Sequence, residues 1–356
     1  MVKTVTILGS TGSIGTSTVK LLLENRDKFK VIALTANKNT ELLAEQAKLL
    51  QPEFVATDAE AICEAASMKS DIVIAGIVGF AGLKATMKAI ERGATVGLAN
   101  KEAMVCAGSL MLQAAEKSGA KIIPVDSEHN AIFQVFDFKN PASVEKIVLT
   151  ASGGPFRNLA AGELGKVTPE QAINHPKWKM GAKISVDSAT MMNKGLELIE
   201  AYNLFPVKPE QLDVVVHPES IIHSFVHYND GSVLAQAANP DMCVPISYVL
   251  GYPERLKNNS KRLDLTESGA LHFEKPDYEK FPCLKLAQEV LGKAQSYHIV
   301  LNAANEVAVE KFLQREIAFT DIAKIVEKSL IAHKETKIST LNDVFAIDAE
   351  VRRNLP

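Results

Sequence analysis

Cysteine is scarce in this chain. There are four in 356 residues, Cys63, Cys106, Cys243 and Cys283, far apart, with no CxxC pair and no histidine at zinc-ligand spacing. That excludes a disulfide-stapled scaffold and a structural zinc site, and leaves reduced thiols packed as small apolar groups. Tryptophan occurs once, at position 178. No apolar run approaches the roughly 20 residues a membrane helix needs. The N-terminal MVKTVTILGS passes straight into a strand pattern, without the charged and apolar regions of a secretory signal. A soluble, cytoplasmic protein is expected. Charge of one sign is missing too: the formal net charge is −3. Nothing therefore draws the whole molecule to nucleic acid or an anionic membrane, and any phosphate recognition has to be local.

What is present is core material. Hydrophobic residues make up 47% and charged residues 23%, a globular composition whose length calls for two or three domains. From 1 to 150, apolar runs alternate with helical patterns: TVTIL (4–8), VIALTA (31–36), EFVAT (53–57), DIVIAG (71–76), ATVGLA (94–99) and KIIPV (121–125). Apolar strands separated by amphipathic helices predict an α/β, doubly wound (Rossmann-like) parallel sheet. After SVEKIVLTAS (143–152) a polar stretch runs to about 186. The strands DVVVHP, IIHSFVHY and SVLAQAA follow, the last two joined by the hairpin signal Asn229-Asp230-Gly231. Residues 151–251 thus read as a central α+β domain, and 252–282, rich in proline and charge, as a linker. From 283 to about 330 the pattern is purely helical, and a C-terminal helical domain is expected over 283–356.

The first strand runs into Gly9-Ser-Thr-Gly12-Ser-Ile-Gly15 and then directly into a helix. Glycines let backbone approach a pyrophosphate, and the free N–H groups of the helix start favour its charge. The spacing is GxxGxxG, so a tight strand-to-helix turn is the competing reading; its place after the first strand of a βαβ series favours dinucleotide binding. An NAD-binding chain usually carries an acid after the second strand, whereas this one reads Thr35-Ala36-Asn37-Lys38-Asn39. A lysine and two amides suit a 2′-phosphate, so NADPH is the expected cofactor.

Asp126-Ser127-Glu128-His129 crowds two carboxylates together at the C-terminal end of a predicted strand. Like charges that close need compensation. Either Asp126 or Ser127 caps a helix over 129–138, or the oxygens hold a hard divalent ion such as Mg²⁺ or Mn²⁺. In SVDSATMMNKGLELIEA (185–201), Asn193, Lys194 and Glu197 share one helix side, with Ser188 upstream. Alone, a lysine and a glutamate at that spacing are an ordinary surface pair.

Taken together, GSTGSIG (9–15), LANKEAMV (98–105), PVDSEHNAIFQ (124–134), ASGGPFR (151–157), HPKWKMGAKISVDSATMMNKGLELIEA (175–201), HPESIIHS (217–224) and LNAANE (301–306) give a chain that resembles the 1-deoxy-D-xylulose 5-phosphate reductoisomerase family. The resemblance implies an NADPH- and divalent-metal-dependent homodimer (Mg²⁺ or Mn²⁺, with Co²⁺ a third candidate) that acts on a phosphorylated ketose and has no nucleic-acid or membrane partner. It makes Asp126, Glu128 and Glu197 the metal ligands. Lys101, Ser127, Glu128, Ser152, His175, Trp178, Met180, Ser188, Asn193, Lys194 and Glu197 then contact the substrate. Ser152, Ser188, Asn193 and Lys194 form the phosphate cradle, and Lys101, Glu128 and His175 are the catalytic residues. Thr11, Gly12, Ser13, Ile14, Asn37, Lys38, Asn39, Asn100, Glu102 and Gly181 line the NADPH site. The family usually has glycine where Asn37 stands, so that contact is the least secure of the set. The stretch 175–186, with Trp178 and Met180 between a proline and a glycine, resembles a mobile lid; the alternative for a lone tryptophan is a core anchor.

A plain NADPH dehydrogenase with a Tyr-xxx-Lys proton donor is the rival enzyme. None of the six tyrosines has a lysine four residues on. A cofactor-binding regulator without chemistry would not need three carboxylates and a phosphate cradle.

Overall fold

Six strands, β1 (Lys3–Leu8), β2 (Phe29–Thr35), β3 (Phe54–Ala56), β4 (Ile72–Ala75), β5 (Thr95–Leu98) and β6 (Lys121–Pro124), pair in parallel in the order β3-β2-β1-β4-β5-β6. The inner strands β1, β2, β4 and β5 are short runs of mostly buried residues, because helices cover both faces of the sheet, while the edge strands β3 and β6 are less buried. This is the expected doubly wound sheet, and the order reverses between β1 and β4, the point at which such sheets bind ligands. The structure is a computed structural model that describes residues 2–178 and 180–355. Among them no helix is long and apolar enough to cross a membrane.

The second sheet has the order β10-β9-β7-β8, built from β7 (Val144–Ala151), β8 (Leu212–Val216), β9 (Ile222–Tyr228) and β10 (Val233–Ala237). The hairpin falls where Asn229-Asp230-Gly231 places it, with Gly231 at φ +86°. β7 lies in sequence at the end of the first predicted segment, yet it pairs with β8 and β9 and so belongs to the second sheet.

By contacts the chain forms two compact units, 1–103, 109–133 and 241–262 in one, and 104–108, 134–240 and 263–356 in the other. Residues 241–262 join the first unit because the helix Cys243–Gly251 inserts Ile246, Val249 and Leu250 into its core. Burying each of these is worth about 1.5–3 kcal/mol. Gly97 on β5 makes the room: a Cβ there would come within 2.8 Å of Val249 Cγ1. Lys3 Nζ donates to the carbonyls of Gly251 and Tyr252 at 3.1 and 2.9 Å, closing the C-terminal end of that helix.

In the second unit, the region read as a linker is tied down. Glu274 bridges to Val216 and accepts from Arg157 Nη1 at 2.6 Å. Burial pushes the Glu219 carboxyl up, but hydrogen bonds from the His272 ring and backbone N–H outweigh it and hold it at about 2. The C-terminal helices Pro282–Val290, Gln295–Leu313 and Asp321–Ala332 fall in the stretch whose periodicity is helical, and a fourth, Leu341–Asn354, follows beyond it. The polar stretch before 186 is shorter than read, since the helix Ala182–Ala189 begins inside it. The helix expected over 129–138 spans Ser127–Val135 instead.

Candidate active site

In the first unit, Gly9 leaves β1 at φ +84° and the helix Ser13–Glu24 starts at Gly12 with no side-chain cap. A Cβ at Gly15 would lie 2.3 Å from the Gly9 carbonyl oxygen, so only glycine lets the helix sit this close on the turn. The N–H groups of Ser13 and Ile14 thus begin an uncapped helix with positive dipole end outward, which suits a pyrophosphate. Thr35 holds the turn from the next strand, its Oγ1 accepting from Gly9 N at 2.9 Å and its carbonyl from Ser10 N at 2.7 Å. Asn37, Lys38 and Asn39 are exposed, and Asn39 caps the helix Thr40–Leu50 by accepting from Leu42 N. One residue with no sequence signal supports the turn. Gln46, 3% exposed, donates from Nε2 to the Ser10 carbonyl at 2.9 Å and so ties that helix to the glycine turn. Asn100 caps its own helix, Lys101–Ser118, and donates to the Gly79 carbonyl at 2.8 Å. Glu102 is buried in the same first turn.

Asp126 follows β6, and the helix that begins at Ser127 carries Glu128. Lys101 Nζ stands 2.6 Å from Asp126 Oδ2, both groups being nearly buried. His129 is fully buried and its Nδ1 is 3.2 Å from Asp126 Oδ1, so it orients the carboxylate from behind. Ser127 donates to Glu128. The cluster opens a helix, and its carboxylates carry oxygen donors without sulfur, a donor type that a hard divalent cation prefers.

In the second unit, the helix Met192–Leu204 puts Asn193, Lys194 and Glu197 on one side as expected, and both Asn193 and Lys194 donate to Glu197. Lys194 and Glu197 are 3% and 1% exposed, which excludes the ordinary surface pair. A buried carboxylate of this kind needs its cationic and amide donors. Ser152 lies just beyond β7. Gly154 follows it at φ +67°, and a Cβ there would stand 2.5 Å from the Ser188 carbonyl, so this turn lies directly on the helix that bears Ser188.

His175 Nδ1 accepts from the backbone N–H groups of Lys177 and Trp178, at 3.2 and 2.9 Å. That leaves the proton on Nε2, which is 2.9 Å from Ser152 Oγ. Burial holds the imidazole below the ordinary histidine value of 6.5, in keeping with a neutral ring. Ser152 Oγ also accepts from Gly154 N at 3.2 Å, so its own O–H is left to donate outward. Trp178 and Met180 are half-buried and Gly181 caps Ala182–Ala189; Lys179, within the predicted lid, lies outside the described residues. Trp178 lies 6.5 Å, centroid to centroid, from His223.

A Rossmann-like sheet whose first strand runs through a glycine turn into an uncapped helix defines the class of nucleotide-dependent enzymes. Family profiles described as 1-deoxy-D-xylulose 5-phosphate reductoisomerase match residues 5–61 and 54–108, and its C-terminal domains match 122–205 and 237–354. The relative from Zymomonas mobilis is 50% identical over 98% of this chain and 96% of its own length, and that from Rhodospirillum centenum is 47% identical over 99% and 93%. The solved structure of the Zymomonas mobilis enzyme in complex with NADPH superposes with a TM-score of 0.94 at 48% identity, covering 99% of this chain and 98% of that one. A DOX-P reductoisomerase in complex with NADPH, fosmidomycin and magnesium gives 0.95 at 40% identity, covering 99% and 97%. The chain belongs to the 1-deoxy-D-xylulose 5-phosphate reductoisomerase family.

Proposed function

We propose that this protein isomerises and reduces 1-deoxy-D-xylulose 5-phosphate to 2-C-methyl-D-erythritol 4-phosphate, with NADPH and a divalent metal, in the non-mevalonate route to isoprenoid precursors. The observation that carries this reading is the buried Lys194 and Glu197 pair, with Asn193 on the same helix side, in a chain that matches the family over nearly its whole length. A dianionic phosphate needs donors of several kinds. Ser152 offers a hydroxyl held by His175, Ser188 a second hydroxyl, Asn193 an amide, and Lys194 an ammonium.

NADPH, when bound, supplies the hydride. The residues present fit it: glycines at 9 and 15 let the turn pack against its own backbone where a Cβ would clash, the helix that follows starts without a side-chain cap, and Lys38 carries positive charge beside the expected 2′-phosphate. Thr11, Gly12, Ser13, Ile14, Asn37, Asn39, Asn100, Glu102 and Gly181 complete the contacts carried over from the family. A divalent ion, Mg²⁺ or Mn²⁺, supplies Lewis-acid stabilisation of negative charge on substrate oxygens. Its ligand set is Asp126, Glu128 and Glu197, whose all-oxygen chemistry suits a hard cation.

Lys101 balances Asp126 and donates to the substrate, while Ser127 contacts the same oxygens. Glu128 is the carboxylate that moves a proton. Trp178 and Met180, on a lid over 175–186, exclude water while the carbon skeleton rearranges. The protein works as a cytoplasmic homodimer. The test is NADPH consumption with 1-deoxy-D-xylulose 5-phosphate, with identification of the branched polyol phosphate. Chelation should abolish turnover and added Mg²⁺ or Mn²⁺ restore it. An enzyme inert toward this substrate would overturn the reading.

A further inference from the structure

The motif LNAANE (301–306) has no part in the chemistry above, yet it lies in the middle of the helix Gln295–Leu313, where Asn302 and Asn305 are fully buried. An amide buried at mid-helix costs stability unless it is hydrogen-bonded. Asn305 Nδ2 donates to Asp187 Oδ1 at 2.7 Å, and Lys183 Nζ stands 2.8 Å from the other oxygen of that carboxylate. Asp187 is 1% exposed. Among the described residues Asn305 Oδ1 has no partner, so the bond to Asp187 is what anchors the amide.

Asp187 immediately precedes Ser188 on the helix Ala182–Ala189. Consecutive helical side chains diverge by about 100°. A carboxylate fixed on the buried side therefore sets where the next hydroxyl points. The helix is only eight residues long and also buries Ser185, Val186 and Ala189, so the carboxylate acts together with these side chains to set its azimuth. A turn of about 20° would carry a side-chain oxygen by roughly 1 Å, enough to spoil a hydrogen bond to phosphate. Gly154, pressed against the Ser188 carbonyl, bears on this helix as well.

We infer that Asn305 is a positioning residue for substrate binding: through Asp187 it fixes the azimuth of the helix Ala182–Ala189 and thereby aims the Ser188 hydroxyl at the substrate phosphate. This rests on the proposed role of Ser188. The inference assigns a task to a helix of the C-terminal region that makes no contact with substrate of its own. It also accounts for a polar pair, Asn305 and Asp187, kept at a place where apolar packing would be simpler.

A reciprocal exchange tests it. Asn305→Asp sets carboxylate against carboxylate, and the double variant Asp187→Asn with Asn305→Asp restores one donor and one acceptor. The single variant is expected to raise KM for 1-deoxy-D-xylulose 5-phosphate about tenfold, with KM for NADPH changed less than about twofold, and the double variant to recover most of the loss. A merely structural role would move both KM values or only the folded fraction, and that result overturns the inference, as does a double variant no better than the single one. If Asn305→Asp does not fold, Asn305→Leu, similar in size but without a donor, must raise the substrate KM in the same selective way; an unchanged value sinks the proposal. Variants with wild-type KM beside an active wild type would refute the positioning role alone. A wild type inert toward the substrate would refute the activity, and the positioning role with it.

Discussion

His175 donates through Nε2 to Ser152 Oγ at 2.9 Å while two backbone N–H groups occupy its Nδ1. Protonating the ring would break both backbone bonds, because Nδ1 would become a donor facing donors. Burial acts in the same direction and keeps the folded pKa below 6.5. As pH falls through 6.5 the unfolded chain takes up a proton that the folded one refuses. The stability linked to His175 is thus fully present above 6.5 and is lost as pH falls from there toward the depressed folded value. Titration of the ring by nuclear magnetic resonance should give a midpoint below 6.5; a midpoint at or above it would contradict the tautomer assigned here.

Gln46 ties the helix Thr40–Leu50 to the glycine turn through a single buried hydrogen bond. Gln46→Leu removes the donor while keeping bulk, and should cost about 0.5–1.5 kcal/mol of stability. Its larger effect should be on NADPH affinity, about tenfold weaker by fluorescence titration, with KM for the ketose phosphate unchanged. Equal losses for both ligands would mean that the bond serves folding alone.

Gly154 is held at φ +67° with a Cβ site 2.5 Å from the Ser188 carbonyl. Gly154→Ala should destabilise by about 1–3 kcal/mol from backbone strain, with a further contribution from the clash. Thermal unfolding measures the first effect. A rise in substrate KM in the surviving folded protein measures the displacement of Ser188. A variant as stable as the parent would show that the turn can relax.

Removal of metal should abolish turnover without unfolding the chain. Asp126→Asn keeps shape but halves the charge offered by the pair with Glu128. Binding of Mn²⁺ by calorimetry should weaken at least about tenfold. Unchanged affinity would remove Asp126 from the ligand set and leave it as the partner of Lys101.

Trp178 is half-buried and lies beside His223. A core anchor truncated to alanine costs about 3–5 kcal/mol, whereas a lid residue costs little stability and much rate. Trp178→Ala is expected to keep its melting temperature within a few degrees and to lower kcat. A large drop in melting temperature with kcat preserved would favour the anchor.

Much of this molecule was legible in the chain as written. The parallel sheet followed from apolar runs between amphipathic helices, because strands covered on both faces admit few polar residues. The hairpin followed from Asn229-Asp230-Gly231, since Gly231 adopts the positive φ that the turn requires. The glycine turn, the acidic cluster and the Asn193, Lys194 and Glu197 face are local patterns, and local spacing is what sequence records. Other features were decided by tertiary structure alone. β7 joined the second sheet through its pairing partners, and the helix Cys243–Gly251 joined the first unit because Gly97 leaves room for Val249. The bonds Gln46–Ser10, His175–Ser152 and Asn305–Asp187 depend on residues 23 to 118 positions apart being brought within hydrogen-bonding distance. A side chain's chemical type is written in the sequence, but which atom meets its one buried donor or acceptor is set only when the chain has packed.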